Sequence, residues 1–152
     1  MVYRAFGAAD AETQARILRR RTRARGLLLL IGADDALAVR VEADGVHLPE
    51  RLVHRIGLLK RRHPTWLVSV AAHGQAAVLK ASRADAIVVS PMFHSRSPSA
   101  GAALGPLRVA KLARAGRARV IALGGINSKN APRLLSTGAA GLAAIDGLLD
   151  LG

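Results

Sequence analysis

At 152 residues, 51% of them hydrophobic, the chain has the length of one domain with a sizeable core; it lacks cysteine, which excludes disulfides, thiolate chemistry and Cys-ligated zinc. The net charge of +13 is carried mostly by arginines spread over several predicted helices. With aromatics at only 3%, that excess reads as solvated basic faces, and no nucleic-acid partner is expected.

Val2–Phe6 is predicted as an opening strand, with Arg4 near its C-terminal end. No cleavage-type signal accompanies this start, and the longest uncharged apolar run, Gly26–Ala33, is far short of the about 20 residues that span a bilayer. No membrane partner and a cytoplasmic location are therefore expected. Asp10 is expected to cap a helix over Ala11–Ala24 that turns Ile17 and Leu18 inward and its arginines outward, with Gly26 closing it. Leu27–Ile31 reads as a buried strand, and Gly32–Asp35 turns into a helix ending near Glu42. Gly45–Leu48 is the next strand, stopped by Pro49. A helix over Leu52–Arg62, a strand over Trp66–Val70, a helix from Gly74 to about Arg83 and a strand over Asp85–Ser90 follow.

Pro91–Leu104 is the one long loop, rich in small residues, and such loops in compact chains are usually functional or disordered. A helix over Pro106–Ala115 leads to the apolar run Val120–Ile126, interrupted by Gly124-Gly125. Asn127 or Ser128 can cap a helix that Gly138 ends, and Leu142–Ile145 is a last buried strand before Asp146-Gly147. Strand, Gly-Gly, helix, strand, Gly is a pattern able to cradle phosphate, with backbone N–H groups approaching the anion and a helix N-terminus adding its positive end. Gly-Gly also serves as an ordinary turn, and the spacing leaves both readings open.

The segments Glu42–Leu48, Arg83–Val89 and Gly138–Ala144 echo one another: a helix ends in small residues and an apolar strand begins. Repeated βα units imply a parallel sheet wound with one hand. A doubly wound sheet and a barrel both satisfy that periodicity. The late position of the Gly-Gly turn selects the barrel, because doubly wound nucleotide folds place theirs after the first strand.

Ala43-Asp-Gly-Val-His-Leu48, Val70-Ala-Ala-His73, Ala84-Asp-Ala-Ile-Val-Val-Ser-Pro-Met-Phe93, Ala122-Leu-Gly-Gly-Ile-Asn127 and Gly138–Ile145 occur in an order that resembles the thiamine-phosphate synthase family and its TenI-like relatives. The resemblance covers nearly the whole chain. It implies a (β/α)8 TIM-type barrel as a single domain over residues 1–152, lacking the first βα unit and most of the last helix. The implied activity joins hydroxymethylpyrimidine diphosphate to thiazole phosphate and releases pyrophosphate, with Mg²⁺ as cofactor. The alternative is a non-catalytic or TenI-like binder of thiazole or thiamine phosphate, and a basic nucleic-acid-binding domain is a third reading.

The resemblance also implies the site. Arg4 matches a diphosphate-contacting arginine, while Val2 and Phe6 stand where the family has Gln and Lys. Ser95 and Ser97 match loop hydroxyls, with Pro98 at the lysine position and Arg96 as the nearby cation. His73 keeps a strand-end histidine, although a hydrogen bond at a helix start explains it equally, and Ala71 replaces a serine. Gly124, Gly125 and Ile126 match the phosphate-binding Gly-Gly-Ile, completed by Gly147, while Asp146 places a carboxylate where the family has serine. No residue is assigned as a metal ligand: the family's Mg²⁺ carboxylates are unmatched, with only Asp34, Asp35 and Glu50 nearby. Phosphorylated pyrimidine and thiazole compounds are the expected partners, together with a second copy of the chain paired through open barrel edges.

Overall fold

A computed structural model of the chain describes residues 1–5, 7–94, 101–116 and 118–145. They fall into two compact units, Met1–Ser69 and Val70–Gly152. Seven strands alternate with helical segments among the described residues, an α/β fold of incomplete (β/α)8 type.

The first unit opens with β1 (Val2–Tyr3), α1 (Ala11–Arg23), β2 (Leu30–Gly32), α2 (Asp35–Arg40) and β3 (Gly45–Leu48). A 3₁₀ turn over Glu50–Arg55 then runs into α3 (Ile56–Arg62), and β4 (Leu67–Ala72) begins in this unit and ends in the second. β1 and β3 both pair with β2 in parallel, Tyr3 opposite Ile31 and Gly32 opposite His47. Val46 and Leu48 of β3 are buried with Ile31, Leu37 and Leu59, while His47 between them faces the other side of the sheet.

Gly45 is fixed by close approach. At φ +155°, a Cβ there would strike the backbone carbonyl of Leu67, whose N–H donates to Asp44 O at 2.9 Å. The Asp44 carboxylate stitches three elements together, accepting from Leu29 N–H and from Arg19 Nη1, each at 2.8 Å.

Several boundaries differ from expectation. β1 is shorter than Val2–Phe6, and Phe6 lies outside the described residues. Asp10 precedes α1 without capping it: its backbone is not extended, and its carboxylate accepts from Gln14 Nε2 at 2.7 Å instead. The inward stripe of α1 runs through Ala15 and Thr22, with Leu18 and Arg19 partly buried, whereas Ile17 is 37% exposed. Leu27 and Leu28 are exposed and precede β2, which begins at Leu30.

The second unit contains α4 (Gln75–Lys80), β5 (Ala86–Val89), α5 (Gly105–Ala115), β6 (Arg119–Leu123), a 3₁₀ turn over Ala131–Leu134 and β7 (Gly141–Ala143). β6 pairs in parallel with β5 and β7, Val89 opposite Ala122 and Leu123 opposite Ala143. Ile87, Val89, Val78, Val109, Ala122 and Leu134 are buried in this unit.

The expected helix between Asn127 and Gly138 is replaced by a single 3₁₀ turn. The Asn127 carboxamide folds back to accept from the N–H groups of Lys129 and Asn130, an arrangement that competes with helical bonding. Pro132 contributes no N–H, and Gly138 at φ +75° ends the segment. β7 stops at Ala143, leaving Ile145 78% exposed rather than in a strand.

Candidate functional site

Two clusters of polar groups and glycines lie at strand C-terminal ends, one in each unit. In the first, the register of β1 with β2 sets Arg4 level with Gly32, and Gly32 stands opposite His47. Gly32 clears the path of the arginine stem, since a Cβ there would lie 2.9 Å from Arg4 Cγ and 3.2 Å from Tyr3 O. His47 Nδ1 is 2.9 Å from Oγ of the buried Ser69 in β4. Burial pushes the imidazole down to about 4, and the nearby Arg4 charge adds to the effect. At neutral pH the rung therefore presents one guanidinium and one uncharged imidazole, and the cation of the pair is Arg4.

His47 and Ser69 were not among the expected site residues. Their signal was present: each is a single polar residue inside an apolar strand, Gly-Val-His-Leu and Leu-Val-Ser-Val. Period-two alternation puts such a residue on the face opposite its apolar neighbours.

Two acids near this unit's strand ends, Asp34 and Asp35, are committed to structure. Asp34 caps α2, its Oδ1 accepting from Leu37 N–H at 2.8 Å. Asp35 forms a two-oxygen pair with Arg55 Nη2, both distances 3.0 Å. Among the described residues no group of three or more His, Asp or Glu side chains converges as a metal site. This donor set does not fit the Mg²⁺ implied by the family.

In the second unit, Gly124 and Gly125 follow β6 at φ +99° and +66°. A Cβ on Gly124 would lie 3.1 Å from Pro91 Cα, and one on Gly125 would strike the His94 carbonyl and stand 2.9 Å from Phe93 C. These glycines thus admit the chain's own loop backbone. Met92 N–H donates to Leu123 O at 2.8 Å, Phe93 N–H to Gly124 O at 3.0 Å, and Asn130 Nδ2 to Gly125 O at 2.8 Å. Three consecutive carbonyls are pinned. Among the described residues, the N–H groups of Gly125 and Ile126 have no hydrogen-bond partner. Ile126 anchors the turn with a buried side chain, and the Arg133 guanidinium lies 5.3 Å from the centre of the Phe93 ring.

The turn is therefore a crossing for the chain's own loop backbone, which Gly124 and Gly125 admit. The expected contribution of a helix N-terminus is absent, because only the 3₁₀ turn follows among the described residues. His73 lies one residue past β4 with its ring exposed, just before Gly74 at the start of α4. Ser95, Arg96, Ser97, Pro98, Asp146 and Gly147 lie outside the described residues. No helix among those described is long and apolar enough to cross a membrane.

The thiamine monophosphate synthase family profile matches residues 2–148. The thiamine-phosphate synthase of Pediococcus pentosaceus is 31% identical over 121 residues, covering 77% of this chain and 56% of that protein. That of Geobacillus kaustophilus is 31% identical over 154 residues, covering 95% and 66%. The chain thus spans between about half and two thirds of the length of these relatives. The thiamine phosphate pyrophosphorylase structure from Pyrococcus furiosus superposes with a TM-score of 0.78 at 24% identity, covering 95% of this chain and 70% of that one, a likeness of fold. With a profile match across nearly its full length and relatives above 30% identity, the chain belongs to the thiamine monophosphate synthase family.

Proposed function

We propose that this chain binds the phosphorylated thiazole and pyrimidine compounds of thiamine phosphate synthesis, as a synthase-type protein with slow turnover. The observation that carries the reading is the turn at Gly124–Ile126, where pinned carbonyls leave the amides of Gly125 and Ile126 directed elsewhere. A phosphate oxyanion accepts several such N–H bonds at once, and each is stronger for the charge.

In the full reaction the thiazole nitrogen bonds to the pyrimidine methylene carbon. The carbon–oxygen bond to the diphosphate breaks, and pyrophosphate leaves with the electron pair. Negative charge develops on the leaving group, and Arg4 is the guanidinium assigned to it. Ser95 and Ser97 are assigned as hydroxyl donors to substrate. The neutral state of His47 keeps Arg4 from competing with a second cation beside it.

A second reading, a non-catalytic binder of thiazole or thiamine phosphate, is favoured by the engagement of Asp34 in a cap and Asp35 with Arg55. One experiment separates the two: titration with thiazole phosphate, alongside pyrophosphate release with both substrates and Mg²⁺. Binding with release supports the synthase, binding without release the binder, and neither one removes both.

A further inference from the structure

Asn130 grips the Gly-Gly turn through both ends of its carboxamide. Its Nδ2 donates to Gly125 O at 2.8 Å, and its Oδ1 accepts from Asn127 N–H at 2.9 Å. The orientation of the amide is dictated by these partners, since a carbonyl oxygen only accepts and a backbone N–H only donates. The Asn130 N–H in turn donates to Asn127 Oδ1 at 3.1 Å, a bond to the Asn130 backbone that is separate from the two contacts of its carboxamide.

The consequence falls on the peptide between Gly125 and Ile126. A planar trans peptide carries its C=O and N–H on opposite sides. Holding Gly125 O against Asn130 therefore aims the Ile126 N–H away from the 127–130 turn. This peptide turns about ψ of Gly125 and φ of Ile126, and the lack of a Cβ on Gly125 removes the main steric resistance on its own side. The two preceding peptides are held by backbone donors, Met92 N–H on Leu123 O and Phe93 N–H on Gly124 O. Only the third is held by a side chain, which makes it the one peptide that a substitution can release.

We propose that Asn130 is a positioning residue that holds the Gly125–Ile126 peptide so that the Ile126 N–H is presented to a phosphate oxygen of the bound ligand. This rests on the phosphate-binding reading above. It adds a residue beyond the Gly-Gly-Ile turn, one that touches no ligand and acts through the peptide it orients. Asn127 has a different place: its side chain shapes the following turn and does not reach Gly125 O.

The test combines two readouts on Asn130→Ala, Asn130→Asp and Asn127→Ala. The first is the Ile126 amide resonance and its exchange rate in the free protein, by ¹H–¹⁵N NMR. The second is affinity for thiazole phosphate by titration. Asn130→Ala should move the Ile126 resonance, speed its exchange and weaken binding by about 10-fold or more, as expected for one charge-assisted hydrogen bond. Asn130→Asp keeps the acceptor for Asn127 N–H and loses the donor, so it should do the same even if the alanine variant folds poorly. Asn127→Ala retains the Nδ2 bond to Gly125 and should bind within about 3-fold of the parent. An unmoved Ile126 amide in both Asn130 variants overturns the proposal, as does unchanged affinity. A parent protein that binds no thiazole phosphate, yet shows the Ile126 shift on substitution, upholds the positioning role and overturns the ligand assignment instead.

Discussion

His47 Nδ1 and Ser69 Oγ stand 2.9 Å apart, joining β3 to β4 through a histidine whose burial and proximity to Arg4 hold it neutral. The folded protein binds this proton only near pH 4, whereas the unfolded chain binds it near the ordinary value of 6.5. Between those values the unfolded state carries more protons, so stability rises with pH there. Stability should thus be complete above about pH 6.5 and fall as the pH drops toward about 4, by about 3 kcal/mol in total from this group. Urea titrations at pH 7, 5.5 and 4 measure it. His47→Gln keeps a hydrogen-bonding amide without the titration and should flatten the profile over that interval; an unchanged slope would show that His47 is not its source.

Gly45 and Gly74 predict opposite responses to the same substitution. A Cβ at Gly45 meets Leu67 backbone atoms that cannot swing away, at a φ that L residues rarely adopt. A Cβ at Gly74 meets nothing within 4 Å. Gly45→Ala should cost about 3 kcal/mol or more, while Gly74→Ala should stay within about 0.5 kcal/mol. Thermal and urea unfolding of the two variants checks this, and similar losses would place Leu67 elsewhere.

Metal dependence follows from the acids near the first unit's strand ends. With Asp34 capping α2 and Asp35 held by Arg55, pyrophosphate release should be slow or absent and insensitive to Mg²⁺ below millimolar levels. Arg55→Ala frees Asp35 and should introduce measurable Mg²⁺ affinity. Robust, saturable Mg²⁺ activation of the parent protein would mean that these carboxylates leave their partners on binding substrate.

The strand Gly45–Leu48 was legible to the residue, because an apolar run with one polar interruption is bounded by glycine and proline. So was a turn at Gly124-Gly125, where residue type and the positive φ of the backbone coincide. What was not legible involved side chains choosing between local and distant partners. Asp10 could cap α1 but accepts from Gln14, and Asn127 could start a helix but closes a turn around Lys129 and Asn130. The inward face of α1 was misjudged because Arg19 bends toward Asp44, a partner 25 positions away that no helical pattern reveals. The pairing of His47 with Ser69 likewise depends on strand register, which the sequence does not contain.

Edge strands make a prediction about association. Among the described residues β1 pairs with β2 and β7 with β6, and Val2 and Leu142 on these strands are 41% and 45% exposed. Strand edges with exposed apolar residues invite pairing with another chain. Self-association is expected in sedimentation velocity, and Val2→Lys should reduce it. A protein that stays monomeric at high concentration would show that the edges are protected.

The central claim is that the Gly124–Ile126 turn takes the phosphate of a thiazole ligand, and the most direct measurement is a ¹H–¹⁵N titration of the parent protein with thiazole phosphate. The account predicts saturable shifts that are largest at the Gly125 and Ile126 amides, and much weaker binding by the dephosphorylated thiazole. Saturable shifts centred away from these two amides, or equal binding of the dephosphorylated compound, would contradict it.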